Sequence, residues 1–260
     1  MTAVRRKALV LGSVTTLLLA LLLEAVSRSG LVSRAVVPPA SKVLVEFAHL
    51  LATSGFWTAV GETMAAWAAG LGISIVVAVP AGLLIGAVPA IYDWLRTTIE
   101  FFRPIPPVAL LPLVILVLGA NQSMKISLVV IATIWPLLFQ MLYGVQDVDR
   151  VLQETSRSYR MSAIFRARHI VLPSTLPYLV TGVRIAATIA LIVAISTELV
   201  SGAPGLGTAI SLAQSSGAVV RSWAFIFTAG VLGLLINVVF RGLERRLLRW
   251  HPSRRAQEVS

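Results

Sequence analysis

The sequence predicts an all-α, polytopic membrane protein with six transmembrane helices and one cytoplasmic loop large enough to hold short helices of its own. Three observations carry this. The 260 residues are 57% hydrophobic and 13% charged, whereas soluble domains are about 45–50% apolar and about a quarter charged. The mean hydropathy is +0.87, and the apolar residues gather in runs of membrane length. The 22 Lys and Arg residues fall mostly between those runs, so the net charge of +11 is a signature of membrane topology rather than of nucleic-acid binding.

A bilayer-crossing helix needs roughly 20 mostly apolar residues. The candidate spans are about Ala8–Val26, Thr63–Val88, Pro106–Gly119, Ile126–Tyr143, Leu179–Val200 and Trp223–Phe240. The first follows Arg5, Arg6 and Lys7 and has no small-x-small cleavage site before Glu24, so it reads as a retained helix. The stretch from Pro38-Pro39 to Trp57 is too polar to span and suits an amphipathic piece on the outer surface. In the second span Gly82 and Gly86 form a small-xxx-small pair for close packing within the bundle, and Glu62 marks its interfacial start. The third span is short and carries Pro106, Pro107 and Pro112, which predicts a kinked helix packed inside the bundle rather than facing lipid. The fourth carries Trp135-Pro136. Its kink would shape a translocation path lined or capped by Trp135, Gln140 and Asn121, against the plainer reading of a packed aromatic. Glu198, near the end of the fifth span, is a further path candidate, because an intramembrane carboxylate is costly. Near an end it either reaches water or pairs with a cation. Arg184 is expected to snorkel towards the loop face.

The cation count sets the orientation. Sixteen of the 22 Lys and Arg residues lie in the loops on one side and five on the other, so both termini are expected in the cytoplasm. The whole chain, 1–260, reads as a single membrane domain with its core at about 59–243, a loop at about 147–177 and a basic tail at about 244–260.

That loop is basic and interrupted. Asp149 and Ser162 are placed to cap two short helices, and Leu172-Pro173 and Leu176-Pro177 are expected to break the pattern before the fifth span. Ile164, Phe165 and Ile170 are too few to cross a bilayer. They suit a helix docked in a partner's groove, or one lying on acidic lipid through Arg157, Arg166 and Arg168. There is no Cys, and His49, His169 and His251 are scattered, so neither a disulfide framework nor a metal site is expected. No G-x-x-x-x-G-K-[ST] loop occurs. Gly202-Ala-Pro-Gly-Leu-Gly207 lacks a Lys and reads as a turn.

The segment Glu154-Thr-Ser-Arg-Ser-Tyr-Arg-Met-Ser162, followed by Phe165 and Leu172-Pro173, resembles the "EAA" loop of binding-protein-dependent ABC importer permeases. Val37-Pro38-Pro39-Ala40-Ser41-Lys42-Val43-Leu44, Arg103-Pro104-Ile105-Pro106-Pro107, Gly182-Val183-Arg184, Thr197-Glu198-Leu199 and Gly205-Leu206-Gly207 are similar to landmarks of its nitrate/sulfonate/taurine-type branch. The resemblance implies a permease subunit in the plasma (inner) membrane that imports a small solute. It also implies a second permease copy or a related permease, a substrate-binding protein outside, and ATPase subunits docked on the loop. The implied coupling residues are Glu154, Ser156, Arg157, Ser158, Tyr159, Arg160, Met161, Ser162, Phe165, Leu172 and Pro173. No cofactor is implied on this chain, since ATP and Mg would belong to the partner ATPase. Thr155 and Ser156 replace the usual Ala pair, and Arg160 stands where the family has Gly. A non-Gly residue in the left-handed region costs roughly 1–2 kcal/mol, so the loop is expected to turn differently, or the subunit to be the less regular half of a heterodimer.

Other readings differ in the solute or in the energy source. Related permeases carry pyrimidine, riboflavin or hydantoin-like heterocycles. An ion-coupled secondary transporter would need a midplane carboxylate site, whereas Glu24, Glu62 and Glu198 fall near span ends. A membrane-embedded enzyme would need His, Asp and Glu clustered at one depth.

Overall fold

The computed structural model describes residues 14–15, 18, 21–30, 33 and 36–248. The expected first span, Ala8–Val26, lies largely outside them; residues 21–28 are helical. The chain continues with α1 (Ala40–Leu51), α2 (Ser54–Ala87), α3 (Pro89–Phe102), a 3-10 turn (Pro107–Leu110) leading into α4 (Leu111–Leu118), and α5 (Gln122–Gln146). Next come α6 (Arg150–Ser158), α7 (Ala163–Arg166), a π turn (Ala167–Val171), α8 (Leu172–Ser201), α9 (Leu206–Ser215) and α10 (Val219–Leu247). No strand occurs among the described residues, as expected for an all-α chain.

Four described helices are long and apolar enough to cross a membrane, and the bent pair Pro89–Phe102 and Pro107–Leu118 makes a fifth if counted as one span. The second, fourth, fifth and sixth expected spans are therefore present, each extended beyond its apolar run by polar turns. The third is corrected. It is the second arm of a helix pair bent by 76°, with Arg103 to Pro106 at the break. Pro106 and Pro107 remove amide donors there and enforce the bend. Nor is α4 packed inside this protomer: only Leu111 is buried, while Leu116 and Val117 are 82% and 72% exposed. The first arm, α3, was not expected. Its signal is Pro89 at the first helical turn and apolar Ile91, Tyr92, Leu95 and Ile99 at helical spacing, with Asp93, Arg96 and Glu100 between them.

The expected break before the fifth span is also corrected. Helix α8 begins at Leu172, and Pro173 sits in its first turn, where its missing N–H is not needed. The π turn joins α8 to α7, so 163–201 runs on without a loop.

Helix α5 is the central post, with α2 on one side and α8 on the other. The main core joins Leu71, Ala78 and Ile85 of α2 to Leu137, Leu138 and Leu142 of α5, and to Ala186, Ala187 and Leu191 of α8. The α2–α5 seam is set by glycines, as expected for Gly82 and Gly86. A Cβ at Gly82 would lie 2.5 Å from Met141 Cβ, and one at Gly86 would lie 2.9 Å from Val145 Cβ. Gly70 takes the same close approach against Val129. The amphipathic α1 lies on α10 and α9 through Val43, Leu50, Leu206, Ile210 and Phe225, with Phe47 edge-on to Phe227 at 5.1 Å.

Candidate functional site

At one end of the bundle, α6 and α7 form the loop between α5 and α8. Both expected caps are made: Asp149 accepts from Val151 N at 2.7 Å, and Ser162 Oγ accepts from Phe165 N at 3.3 Å. The turn between the helices is a Schellman motif. Arg160 N donates to Arg157 O at 2.9 Å, and Met161 N donates to Ser156 O at 3.0 Å. This motif needs a left-handed residue at its centre. Arg160 supplies it with φ of 54°, alone among the described non-glycine residues. The expectation of a different turn is therefore corrected: the glycine-type turn is kept, and the side chain carries the strain.

Ser156 is buried and bonds Gln153 O at 2.7 Å. Glu154, Arg157, Ser158, Arg160, Ser162 and Leu172 are exposed, and Met161 and Pro173 are half-buried. Tyr159 and Ile164 are 75% and 81% exposed. Phe165 is exposed too and stacks on His169 at 4.1 Å. The loop thus presents a small apolar patch in a basic surround, held by satisfied backbone bonds.

At the opposite end, Glu198 is fully enclosed. Lys125 Nζ, equally buried, donates to Glu198 Oε1 at 3.1 Å and to Pro204 O at 2.6 Å. Thr63 Oγ1 donates to the carboxylate at 2.9–3.0 Å and accepts from Leu206 N at 2.9 Å. Gly207 N donates to Glu198 Oε2 at 3.0 Å. A Cβ on Gly207 would lie 2.6 Å from Leu199 N, so only glycine lets the backbone approach this closely. The 202–207 turn is present, with Gly202 left-handed at φ of 71°. One of its amides, Gly207 N, receives the protein's own carboxylate, which caps the amino end of α9 from another helix. Glu198 pairs with a cation and does not face open space. Its partners Lys125 and Thr63 were not singled out in the sequence; a lysine in the first turn of a membrane-length helix was the available signal.

The other path candidates divide. Asn121 is the N-cap of α5, accepting from Met124 N at 3.1 Å, which gives it a structural task. Trp135 and Gln140 line a cavity of about 320 Å³ together with Arg103, Pro107, Phe139 and Tyr143. Gln140 also borders a cavity of about 600 Å³ at the loop end, lined by Asp147, His169, Ser174 and Tyr178. Tyr178 Oη donates to Asp147 Oδ2 at 2.6 Å there. Arg184 is bridged to Glu244 at 2.8 Å rather than snorkelling freely.

Comparison with known proteins agrees with this architecture. The chain is 36% identical to the putative aliphatic sulfonates transport permease protein SsuC of Escherichia coli (strain K12) over 64% of this chain and 63% of that protein. It is 28% identical to the taurine transport system permease protein TauC of the same strain, over 85% and 82%. It is 26% identical to the nitrate import permease protein NrtB of Leptolyngbya laminosa, over 74% and 69%. In fold, it is similar to a chain of the inward-facing MetNI methionine ABC transporter, with a TM-score of 0.65 at 19% identity, covering 81% of this chain and 98% of that one. Residues 78–249, from the glycine seam of α2 through the loop to the end of α10, match a family of membrane permeases, and the chain belongs to that family, the binding-protein-dependent transport system inner membrane components.

Proposed function

We propose that this chain is the membrane-spanning permease subunit of an ATP-driven importer for a small solute bearing an oxyanion group of the sulfonate or nitrate type. The observation that carries the importer reading is the loop: a rigid Schellman turn presenting Tyr159, Ile164 and Phe165 outward. Such a patch is built to enter a groove on a partner. The solute class is supported by the relatives, whose names specify aliphatic sulfonates, taurine, nitrate and bicarbonate. The last three differ in shape but share a small oxygen-rich anionic group.

In this reading the loop end faces the cytoplasm, both termini lie on that side, and two permease copies or a related pair enclose the path. ATPase subunits dock on residues 150–173 and hydrolyse ATP; a binding protein delivers solute at the Glu198 end. The chain's own part is transmission. Residues 163–201 form one uninterrupted helical unit, and α8 alone is about 45 Å long at 1.5 Å per residue. A displacement of Phe165 is carried along α8 to Glu198, which holds α9 by its Gly207 bond. The two ends are therefore coupled by packed, hydrogen-bonded structure.

The deciding experiment is uptake of labelled taurine and nitrate into proteoliposomes holding the permease, its ATPase and its binding protein. Uptake is expected to require ATP and to vanish when the ATPase is inactivated. Persistence with an inactive ATPase and dependence on an ion gradient would instead identify a secondary transporter.

Arg160→Gly removes the left-handed strain and is expected to stabilise the loop by about 1 kcal/mol. Amide exchange in residues 156–162 should slow about fivefold, and solute-stimulated ATP hydrolysis should be kept or raised. A large loss of hydrolysis would show that the guanidinium itself is needed at the docking contact.

A further inference from the structure

Charged side chains at membrane depth are costly and are almost always paired. Lys125 and Arg184 are paired in this way through Glu198 at 3.1 Å and Glu244 at 2.8 Å. Arg103, an exposed residue at the joint after α3, reaches back over α5 instead. Among the described residues it forms no ion pair, and its guanidinium carbon lies over the Phe139 ring at 4.5 Å. Phe139 is seven residues before the end of α5 at Gln146, so the contact lies about 10 Å in from the loop end of that helix. The guanidinium stands at the break between α3 and the 3-10 turn, where the chain is bent by 76°.

The unpaired charge borders the cavity of about 320 Å³, whose lining includes Trp135 and Gln140. Both carry N–H donors. Pro136, also in the lining, cannot donate to the Ala132 carbonyl, which leaves α5 locally open there. Gln140 also borders the larger cavity at the loop end, so the small chamber adjoins it. A planar guanidinium is matched to a flat or tetrahedral oxyanion through two parallel N–H bonds. The Phe139 ring holds it without neutralising it.

From this we infer that Arg103, with Gln140 and Trp135, forms an anion station inside the membrane domain, where the oxyanion group of the solute is held before release. The inference rests on the oxyanion importer reading above. The same chemistry would also fit a lipid phosphate reaching the cavity from the membrane, and the test separates the two.

Two measurements decide. In the first, purified permease is titrated with methanesulfonate while tryptophan fluorescence is recorded, with neutral dimethyl sulfone as the control. A saturable change with methanesulfonate alone is expected, lost in Arg103→Met and in Trp135→Phe. In the second, ATP-driven uptake of taurine is measured in the complete transporter. Arg103→Met is expected to lose at least about tenfold in uptake, the worth of one charge-assisted contact, and Arg103→Lys to recover part of it. Solute-independent ATP hydrolysis should be unchanged. The loss should be the same in vesicles of zwitterionic lipid and in vesicles containing anionic lipid. Wild-type uptake in Arg103→Met overturns the proposal. So does a loss confined to anionic-lipid vesicles, which assigns Arg103 to lipid phosphate, and so does an equal loss of solute-independent hydrolysis, which makes Arg103 structural. Absence of methanesulfonate binding to the wild-type permease overturns it whatever uptake does. Binding that persists while ATP drives no uptake sinks the importer reading alone.

Discussion

Lys125→Met is expected to cost the protein about 3–5 kcal/mol, because removing one partner of a buried ion pair leaves the other charge uncompensated. Glu198 would keep Thr63 Oγ1 and Gly207 N, but the Pro204 carbonyl would lose its 2.6 Å donor and the carboxylate its counter-ion. The Glu62 side chain is 3.9 Å from Lys125 and 41% exposed, so it does not stand in for the pair. In detergent the unfolding midpoint should fall by about 10 °C. The double variant Lys125→Met with Glu198→Leu should recover most of that loss, since an apolar pair of similar volume can replace a buried ion pair at little cost. A single variant as stable as the parent would mean that water or another cation serves Glu198. The variant should also loosen α9, whose amino end is held in part by the bonds of Gly207 N to Glu198 and of Leu206 N to Thr63. Amide exchange in 206–215 should rise before the rest of the bundle opens.

Gly82→Leu is expected to cost about 3 kcal/mol or more through overpacking. Its Cβ would stand 2.5 Å from Met141 Cβ and 3.1 Å from the Leu138 carbonyl oxygen. Neither is the movable end of a side chain, so α2 and α5 would have to separate along the main core. Gly61→Leu is the matched control. It lies on the same helix, where a Cβ meets nothing within 4 Å, and helix propensity makes leucine there neutral or mildly stabilising. Equal unfolding midpoints for the two variants would rule out the close seam.

Much of this was legible in the sequence because it is local. Apolar runs of membrane length mark spans whatever they pack against. The Asp149 and Ser162 caps depend on residues two or three positions away. What misled was also local. Pro173 reads as a breaker, yet it costs nothing in the first turn of α8. The prolines after Arg103 read as a kink within one helix, yet they mark the joint between two.

The candidate sites divide along the same line. The sequence by itself determined the membrane class, the placement of four spans, the loop and the glycines that let α2 meet α5. Only the tertiary structure decided that Glu198 is sealed against Lys125, 73 residues away, and Thr63, 135 residues away, and that Arg184 has an acid while Arg103 has none among the described residues. The physical reason is that hydrophobic periodicity records how much of a segment avoids water, a property of neighbours along the chain. Neutralising a charge inside a bilayer depends instead on which helix stands beside it at the same depth, and only the packed bundle specifies that.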